Sequence, residues 1–144
     1  MFEISWERMF DSAHRIYEHE KKCRYLHGHS YRVKVLLRGE LEEHGMLVDF
    51  GILKSKIHDL LDHKIILYEK DPLVPLLEKA GQRLVVLDRN PTAENLAFFI
   101  ASLILRNFKN IKEAEVEVFE TPSQSGFVKM TRKNFVKVNY REIN

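Results

Sequence analysis

Three histidines and the only cysteine of the chain occur close together near the N-terminus. In CRYLHGHSYRVKV, His27 and His29 are two residues apart, and Cys23 precedes them. A strand places side chains i and i+2 on one face, with backbones roughly 6–7 Å apart, so both imidazoles would point the same way. His14 ends an earlier alternating segment and would join them if the two segments pair. Three imidazoles suit a divalent ion, Zn²⁺ best, so the sequence predicts a zinc site at His14, His27 and His29.

Spacing leaves the role of Cys23 open. The thiol would be a fourth ligand in a closed structural zinc site, or a base or nucleophile beside an open one. A buried and inert cysteine is the third alternative. A His-x-His pair is also found as two polar strand residues that bind no metal.

A second candidate cluster is Asp62 and His63 in LLDHK, where an amphipathic helical pattern runs out. If the helix has ended there, the carboxylate would orient the imidazole as an acid/base relay. A histidine near a helix C-terminus is also favoured by the helix dipole, without any catalytic role.

Glu120 is a third candidate because it shares strand parity with the apolar Val116 and Val118. A buried carboxylate is costly unless a cation or several N–H donors satisfy it. The side chain therefore predicts a binding partner at this point, unless the strand end emerges into solvent there.

Hydrophobic periodicity predicts the strands that must position these residues. Period-two alternation indicates strands over residues 2–14 and 27–39, in EAEVEVFE, and from Phe127 to Val138. The segment 63–90 shows a mixed pattern, in which RLVVLD is a candidate short strand.

Two helices are predicted between these strands. An apolar stripe follows Asp49, a candidate N-cap, and NPTAENLAFFIASLILRNF follows a cap at Asn90 or Thr92. The resulting order is β-β-α-α-β-β. It predicts an α+β fold with an antiparallel sheet and both helices on one face.

Composition and charge are those of an ordinary globular protein. At 144 residues, with 44% hydrophobic and 31% charged residues, the chain fits a single domain over residues 1–144. The formal charge of +2 gives no reason to expect a nucleic-acid partner. No apolar run approaches the ~18 residues of a membrane span, and a signal-peptide pattern is missing. One cysteine cannot form an internal disulfide, so we expect a reducing, cytoplasmic setting.

Six motifs in a fixed order resemble one known family. They are FDSAH, Cys-x-x-x-His-Gly-His, MLVDFGILK, LDHK, NPTAEN and VEVFET, which together span about residues 8–128. The sequence is similar to the 6-pyruvoyl-tetrahydropterin synthase / 6-carboxy-tetrahydropterin synthase family. This resemblance implies the tunnelling fold (T-fold), in which each subunit has a four-stranded antiparallel sheet and two helices. It also implies that three subunits close a β-barrel, that two trimers stack as a homohexamer, and that active sites lie between subunits.

The resemblance assigns a role to each candidate residue. Cys23 would be the catalytic base, Asp62 and His63 the relay, supplied by a neighbouring chain, and Glu120 the carboxylate that anchors the pterin. The residues whose positions match the zinc ligands of the family are His14, His27 and His29.

The implied activity is that of a zinc-dependent lyase acting on a small molecule, 7,8-dihydroneopterin triphosphate. In the carboxy branch, acetaldehyde and triphosphate leave and 6-carboxy-5,6,7,8-tetrahydropterin forms, an early intermediate of 7-deazaguanine (queuosine or archaeosine) synthesis. In the pyruvoyl branch, triphosphate is eliminated. The short interval between Cys23 and His27, with no Glu beside the cysteine, resembles the carboxy branch, which we therefore favour. A zinc-stabilised binding protein of the same fold, with Cys23 as fourth ligand, is the non-catalytic alternative.

Overall fold

The structure is a computed structural model that describes residues 1–144 and contains three α-helices and seven β-strands. The strands are β1 (Phe2–His14), β2 (His27–Gly39), β3 (Lys64–Tyr68), β4 (Leu84–Leu87), β5 (Ile111–Thr121), β6 (Gln124–Thr131) and β7 (Tyr140–Ile143). The helices are α1 (Phe50–Leu61), α2 (Leu73–Lys79) and α3 (Ala93–Asn107). A short 3-10 turn, Lys22–Arg24, lies in the loop between β1 and β2.

All seven strands form one sheet in the order β6-β5-β2-β1-β3-β4-β7. The antiparallel sheet that the sequence predicts is the half made of β6, β5, β2 and β1. The prediction of only four strands is wrong for the other half, where β3 runs parallel to β1, β4 runs parallel to β3, and β7 is antiparallel to β4. The α+β class is confirmed, but the order β-β-α-α-β-β lacks β3, α2, β4 and β7.

Strands β1 and β2 form the longest pairing in the sheet, thirteen residue pairs. Their alternation buries one face, including Phe10 and Tyr31, in a core of 28 residues, while ion pairs cover the other face. A slip of one residue would move every buried side chain to the wrong face, so the apolar pattern fixes the register. That register places His14 directly opposite His27, with His29 two residues further along the same face.

Helices α1 and α3 cover the apolar face. The Asp49 carboxylate accepts a hydrogen bond from a backbone N–H of the first turn of α1 at 2.8 Å. At the start of α3, the Thr92 hydroxyl accepts from the Asn95 N–H at 3.1 Å. Both caps agree with the sequence prediction. The predicted apolar stripes are buried apart from Phe50, which is 52% exposed. None of the three helices has both the length and the apolar character needed to cross a bilayer.

The segment between α1 and α3 builds a smaller apolar cluster on the opposite face of the sheet. Every residue of β4 is buried: Val85 and Leu87 enter the main core, whereas Leu84 and Val86 pack against Val74 of α2. Parallel strands that are covered on both faces are apolar at every position, which explains why RLVVLD shows no alternation. The two predicted helices, α1 and α3, lie on one face of the sheet as expected, but the third helix, α2, was not predicted and lies on the other face.

Helix α2 is missed by sequence patterns because it is only seven residues long and contains proline. Pro72 is its N-cap and Pro75 lies in its first turn. Proline is tolerated there because the first N–H groups of a helix have no partner within it. Fewer than two full turns give too little periodicity to identify a helix.

The last predicted strand is too long. It was expected to reach Val138, but β6 ends at Thr131 and β7 begins only at Tyr140. Directly after β6, the Arg132 guanidinium donates hydrogen bonds to backbone carbonyls at the C-terminal end of α3 and the start of β5. These bonds attach the chain that leaves β6 to α3 and β5.

Candidate metal centre and active site

His14, His27 and His29, here called the histidine triad, come together where β1 ends and β2 begins. Each offers one ring nitrogen, and these three atoms lie within 4.8 Å of one another. His14 is 2% exposed, and the other two are half-buried. Zn–N bonds are about 2.0–2.1 Å long, so a cluster of this size is compatible with one shared ion.

Hydrogen bonds occupy one nitrogen of two triad rings, and the third ring has a buried nitrogen without a partner. Nδ1 of His14 lies 2.7 Å from the Pro91 carbonyl oxygen, and Nδ1 of His27 lies 2.6 Å from the Tyr25 carbonyl oxygen. A carbonyl only accepts, so each Nδ1 carries the proton and each Nε2 keeps its lone pair. Nε2 of His29 is buried and has no hydrogen-bond partner. An unpaired buried polar atom is costly, so this nitrogen fits a metal ligand.

Burial keeps two triad rings neutral. Desolvation lowers the pKa of His14 to about 4 against the opposing effect of the Pro91 hydrogen bond, and its two triad neighbours lower the pKa further. Burial also lowers the pKa of His29, although the charge of Glu120 works in the other direction. Neutral imidazole is the form that binds a metal, so at neutral pH these rings need not lose a proton first.

Cys23 reaches the same place from the loop between β1 and β2. It lies in the 3-10 turn, and its carbonyl accepts a hydrogen bond from the Ile16 N–H at 2.8 Å. The half-buried residue lines a cleft of about 320 Å³ together with His14, His27 and Glu120. This cleft is called the triad cleft below. Cys23 is not one of the residues whose ligand atoms lie within 4.8 Å of one another, which favours a place beside a metal over one as fourth ligand.

Glu120 of β5 lines the triad cleft at a point where the strand pairing is irregular. The pairing of β5 with β6 shifts register between Phe119 and Thr121, and Glu120 lies at this shift. None of the ion pairs in the chain involves Glu120. Its carboxylate is therefore a charge in a cleft without a cationic partner.

Sequence reasoning misses two residues of this site. The Tyr31 hydroxyl is buried without a hydrogen-bond partner, and burial together with the charge of Glu120 raises the pKa of Tyr31. Glu94, in the first turn of α3, lines the triad cleft. The sequence feature that could have identified Tyr31 is that it shares strand parity with His29. Glu94 is part of NPTAEN, but no local pattern shows that α3 begins against β6.

His63 lines a different cleft, of about 650 Å³, which we call the relay cleft. Its walls include Asp11, Ser30 and Arg83, and also His29 of the histidine triad, whereas Cys23 and Glu120 line only the triad cleft. Within one chain the structure therefore does not place Asp62 and His63 in the cleft that contains Cys23 and Glu120.

The two residues are nevertheless arranged as an acid/base pair. Nδ1 of His63 lies 2.9 Å from one Asp62 oxygen, and the other oxygen accepts a hydrogen bond from the Asp11 N–H at 2.9 Å. Burial opposes ionisation, but the bonds from Asp11 and His63 prevail and lower the pKa of Asp62. Helix α1 ends at Leu61, so the helix has indeed stopped before the pair. His63 has φ of +58°, a backbone region that few L-residues adopt.

Comparison with known proteins places these residues in a family. A model of the 6-pyruvoyl tetrahydropterin synthase family matches residues 3–130. The chain belongs to this family. The matched range includes the histidine triad, Cys23, Asp62, His63 and Glu120, and the chain is an enzyme of the pterin synthase family.

Relatives of the chain within the pterin synthase family include bacterial and archaeal proteins. A protein of Pyrococcus abyssi is 42% identical over 144 residues, covering 90% of this chain and 91% of that protein. The 6-carboxy-5,6,7,8-tetrahydropterin synthase of Rickettsia bellii is 36% identical over 124 residues, covering 79% and 90%. Among solved structures, the 6-pyruvoyl tetrahydropterin synthase of Plasmodium vivax is similar with a TM-score of 0.65 and 26% identity, covering 90% of this chain and 98% of that one.

Proposed function

We propose that this pterin synthase is a zinc-dependent 6-carboxy-5,6,7,8-tetrahydropterin synthase. It would convert 7,8-dihydroneopterin triphosphate to 6-carboxy-5,6,7,8-tetrahydropterin, with release of acetaldehyde and triphosphate. That reaction is an early step of 7-deazaguanine (queuosine or archaeosine) synthesis. The name of the Rickettsia bellii relative supports this branch of the family.

The observation that carries the proposal is the buried, unpartnered Nε2 of His29 in a cluster with His14 and His27. Imidazole nitrogens suit Zn²⁺, and three protein ligands leave an open coordination position, as in catalytic zinc sites. When bound, the ion supplies Lewis acidity that lowers the pKa of a hydroxyl group in contact with it.

Glu120 would hold the pterin ring. The ring presents an amino group and an adjacent ring N–H, two donors side by side, and a carboxylate accepts such a pair with both oxygens. The lack of an ion-pair partner for Glu120 in the triad cleft supports this role. Tyr31 stays protonated because its pKa is raised, so its hydroxyl remains available as a donor beside that carboxylate.

Cys23 and His63 would move protons between the substrate side chain and the ring. The Cys23 thiolate would take a proton within the triad cleft. Asp62 holds the Nδ1–H of His63, so Nε2 is the nitrogen left to exchange a proton. The His63 side chain is 71% exposed, which suits a residue that completes the site of another chain.

For Cys23 and His63 to act on one substrate, the relay cleft of one chain would have to face the triad cleft of a neighbouring chain. We propose a homohexamer, a dimer of trimers, built from chains that each form a single domain over residues 1–144. A single cysteine used as a base also suits a reducing compartment, the cytoplasm.

The second candidate function is 6-pyruvoyl-tetrahydropterin synthase. The family description and the similarity to the Plasmodium vivax enzyme of that name favour it. Both reactions would use the same substrate and the same residues. They differ in whether a carbon–carbon bond of the side chain is broken.

Product analysis tests the proposal. The zinc-loaded protein is incubated with 7,8-dihydroneopterin triphosphate, and the pterin and any acetaldehyde are identified by mass spectrometry. A 6-carboxy product with acetaldehyde supports the carboxy synthase, and a 6-pyruvoyl product without acetaldehyde supports the second candidate. Unchanged substrate would contradict both.

A further inference from the structure

An ion pair between the fully buried Asp71 and Arg15, whose side chain is 21% exposed, joins the start of α2 to the loop that carries Cys23. The Asp71 side chain is 0% exposed, and Arg15 donates to both of its oxygens, from Nε at 2.7 Å and from Nη2 at 2.5 Å. Two such bonds fix the plane of the guanidinium as well as its position. The same carboxylate accepts from the Leu73 N–H at 2.8 Å, so it is itself held by the first turn of α2.

Arg15 lies at the base of the Cys23 loop. It directly follows His14, the last residue of β1, and the next residue, Ile16, donates its N–H to the Cys23 carbonyl. A displacement of Arg15 is therefore passed to Cys23 through one residue and one hydrogen bond. His14 is fixed by different contacts, namely the pairing of β1 with β2, which is thirteen residue pairs long, and the Pro91 carbonyl. A displacement of Arg15 therefore need not move His14.

The loop has one other side-chain anchor near its base. The Tyr17 N–H donates to the Asn90 side chain at 2.9 Å. Residues beyond Tyr17 are exposed up to Lys22, and so they contribute little packing. The position of Cys23 thus depends on a few polar contacts at residues 15–17.

We propose that Asp71 is a positioning residue for Cys23. Through Arg15 it holds the base of the loop so that the thiol stays in the triad cleft, an inference that rests on the proposed function of Cys23 as base. A buried ion pair adds little net stability compared with apolar residues of similar size. A pair at this position is better explained by the orientation it imposes. In this proposal α2, the helix that sequence patterns do not reveal, holds Asp71 in place.

The variants Asp71→Asn and Arg15→Lys test the proposal by the reactivity of the thiol. Cys23 is the only cysteine, so whole-protein mass spectrometry follows its alkylation by iodoacetamide directly. In Asp71→Asn we expect alkylation at least about threefold faster and unchanged zinc content, because the triad lies on paired strands. We expect kcat to fall roughly tenfold or more with KM nearly unchanged, since a small displacement of a reacting group has effects of this order. Arg15→Lys keeps the charge but loses the two-point contact, so its effects should be intermediate.

Glu142→Gln is the matched control. Glu142 pairs at 3.2 Å with Lys64, whose side chain is 1% exposed, and this pair joins β7 to β3 without contacting the Cys23 loop. The variant weakens an ion pair with one buried member, as Asp71→Asn does. It should reduce stability and leave alkylation at the wild-type rate, because the Cys23 loop is not touched. Its kcat is not used as a control, because Lys64 directly follows His63 in the relay cleft.

Two results would overturn the proposal. One is a folded Asp71→Asn protein with wild-type alkylation and kcat. The other is an equal rise in alkylation in Glu142→Gln, which would mean that the thiol responds to general loss of stability. If Asp71→Asn does not fold, the same readouts on Arg15→Lys decide the matter. Alkylation and zinc content need no turnover, so a wild-type protein that leaves the pterin substrate unchanged would contradict the proposed function alone.

Discussion

At the scale of single residues, the three triad histidines differ in what their second nitrogen contacts. His14 and His27 each place Nδ1 on a backbone carbonyl, so the protein itself fixes their tautomer and orientation. His29 has a buried Nε2 with no partner. A bound ion would therefore do more to fix the orientation of His29 than that of the other two rings.

Replacing His29 by Ala should abolish stoichiometric zinc binding. The wild type should hold about one zinc per chain, and two remaining imidazoles bind the ion much more weakly. The metal-free variant should stay folded, because Nε2 makes no hydrogen bond that would be lost. Metal analysis by mass spectrometry checks this. His19 lines the triad cleft but is not part of the triad, so His19→Ala should keep its zinc. Equal loss of zinc in both variants would contradict the assignment.

Cys23→Ala should keep its zinc and lose activity. The loss in kcat should be roughly 10²–10⁴-fold, the range for removal of a general base. Zinc content is measured on the same preparation as the turnover of dihydroneopterin triphosphate. A variant that drops its metal would make Cys23 a ligand, and the open-site mechanism would then be wrong.

Glu120→Ala should weaken transition-state binding of the pterin by about 2–4 kcal/mol, as for loss of a buried charge-assisted contact. Comparison of kcat/KM with the wild type measures this. Zinc content should not change, because Glu120 is not a proposed ligand. Glu120→Gln keeps the shape of the side chain and one acceptor oxygen. Its kcat/KM should therefore lie between that of the wild type and that of Glu120→Ala. A near-normal kcat/KM in Glu120→Ala would place the pterin anchor elsewhere.

At the scale of elements, the long ones were predictable, whereas of the short ones only β4 was indicated, as the candidate strand RLVVLD. β1, β2 and α3 each contain enough residues for their periodicity to be clear, and the parity of β1 and β2 was sufficient to predict the convergence of the triad. α2 is short and proline-containing, and β3 and β4 are buried on both faces, so none of them alternates. Which cleft receives His63 depends on the parallel pairing of β3 with β1, a long-range contact that no local pattern encodes.

Gly126 shows how tightly α3 is set against the sheet. A Cβ at this position would lie 2.5 Å from the Glu94 backbone nitrogen and 2.7 Å from the Ala93 carbonyl carbon. Gly126→Ala should therefore destabilise the protein by about 1–3 kcal/mol through overpacking against backbone that cannot move aside. Chemical denaturation measures the change. At Gly28 an added Cβ would only touch the Ser12 carbonyl oxygen at 3.4 Å, so Gly28→Ala should stay within about 0.5 kcal/mol of wild type.

At the scale of the whole molecule, the sheet has two long stretches of unpaired edge. β1 pairs with β3 only at residues 12–14, and Asp11 bonds to residues 62 and 63, so residues 2–10 leave one edge of β1 without a partner. The other stretch is the outer edge of β6. Exposed edges of this length invite pairing with another chain. Four antiparallel strands lie between them, as a barrel shared by three chains would require.

We therefore expect a trimer or hexamer in solution. Light scattering at micromolar concentration should give a multiple of the 17.1 kDa chain, and a monomer would contradict both the assembly and the shared active site.

Mixed assemblies test whether the site is shared. Cys23→Ala and His63→Ala should each be inactive alone. If the two residues come from different chains, an equal mixture after subunit exchange should regain activity in roughly a quarter of the sites. No recovery despite exchange would mean that each chain completes its own site.

The backbone conformation at His63 affects which amino-acid substitutions would be favoured at this position. A left-handed conformation costs a residue other than glycine about 1–2 kcal/mol, and His63 adopts it at an exposed turn with φ of +58°. Glycine or asparagine would suit that turn better, so selection for heat resistance alone would favour either of them at this position. Under the relay role proposed for His63, retaining the histidine is a trade-off in which the enzyme gives up stability for activity.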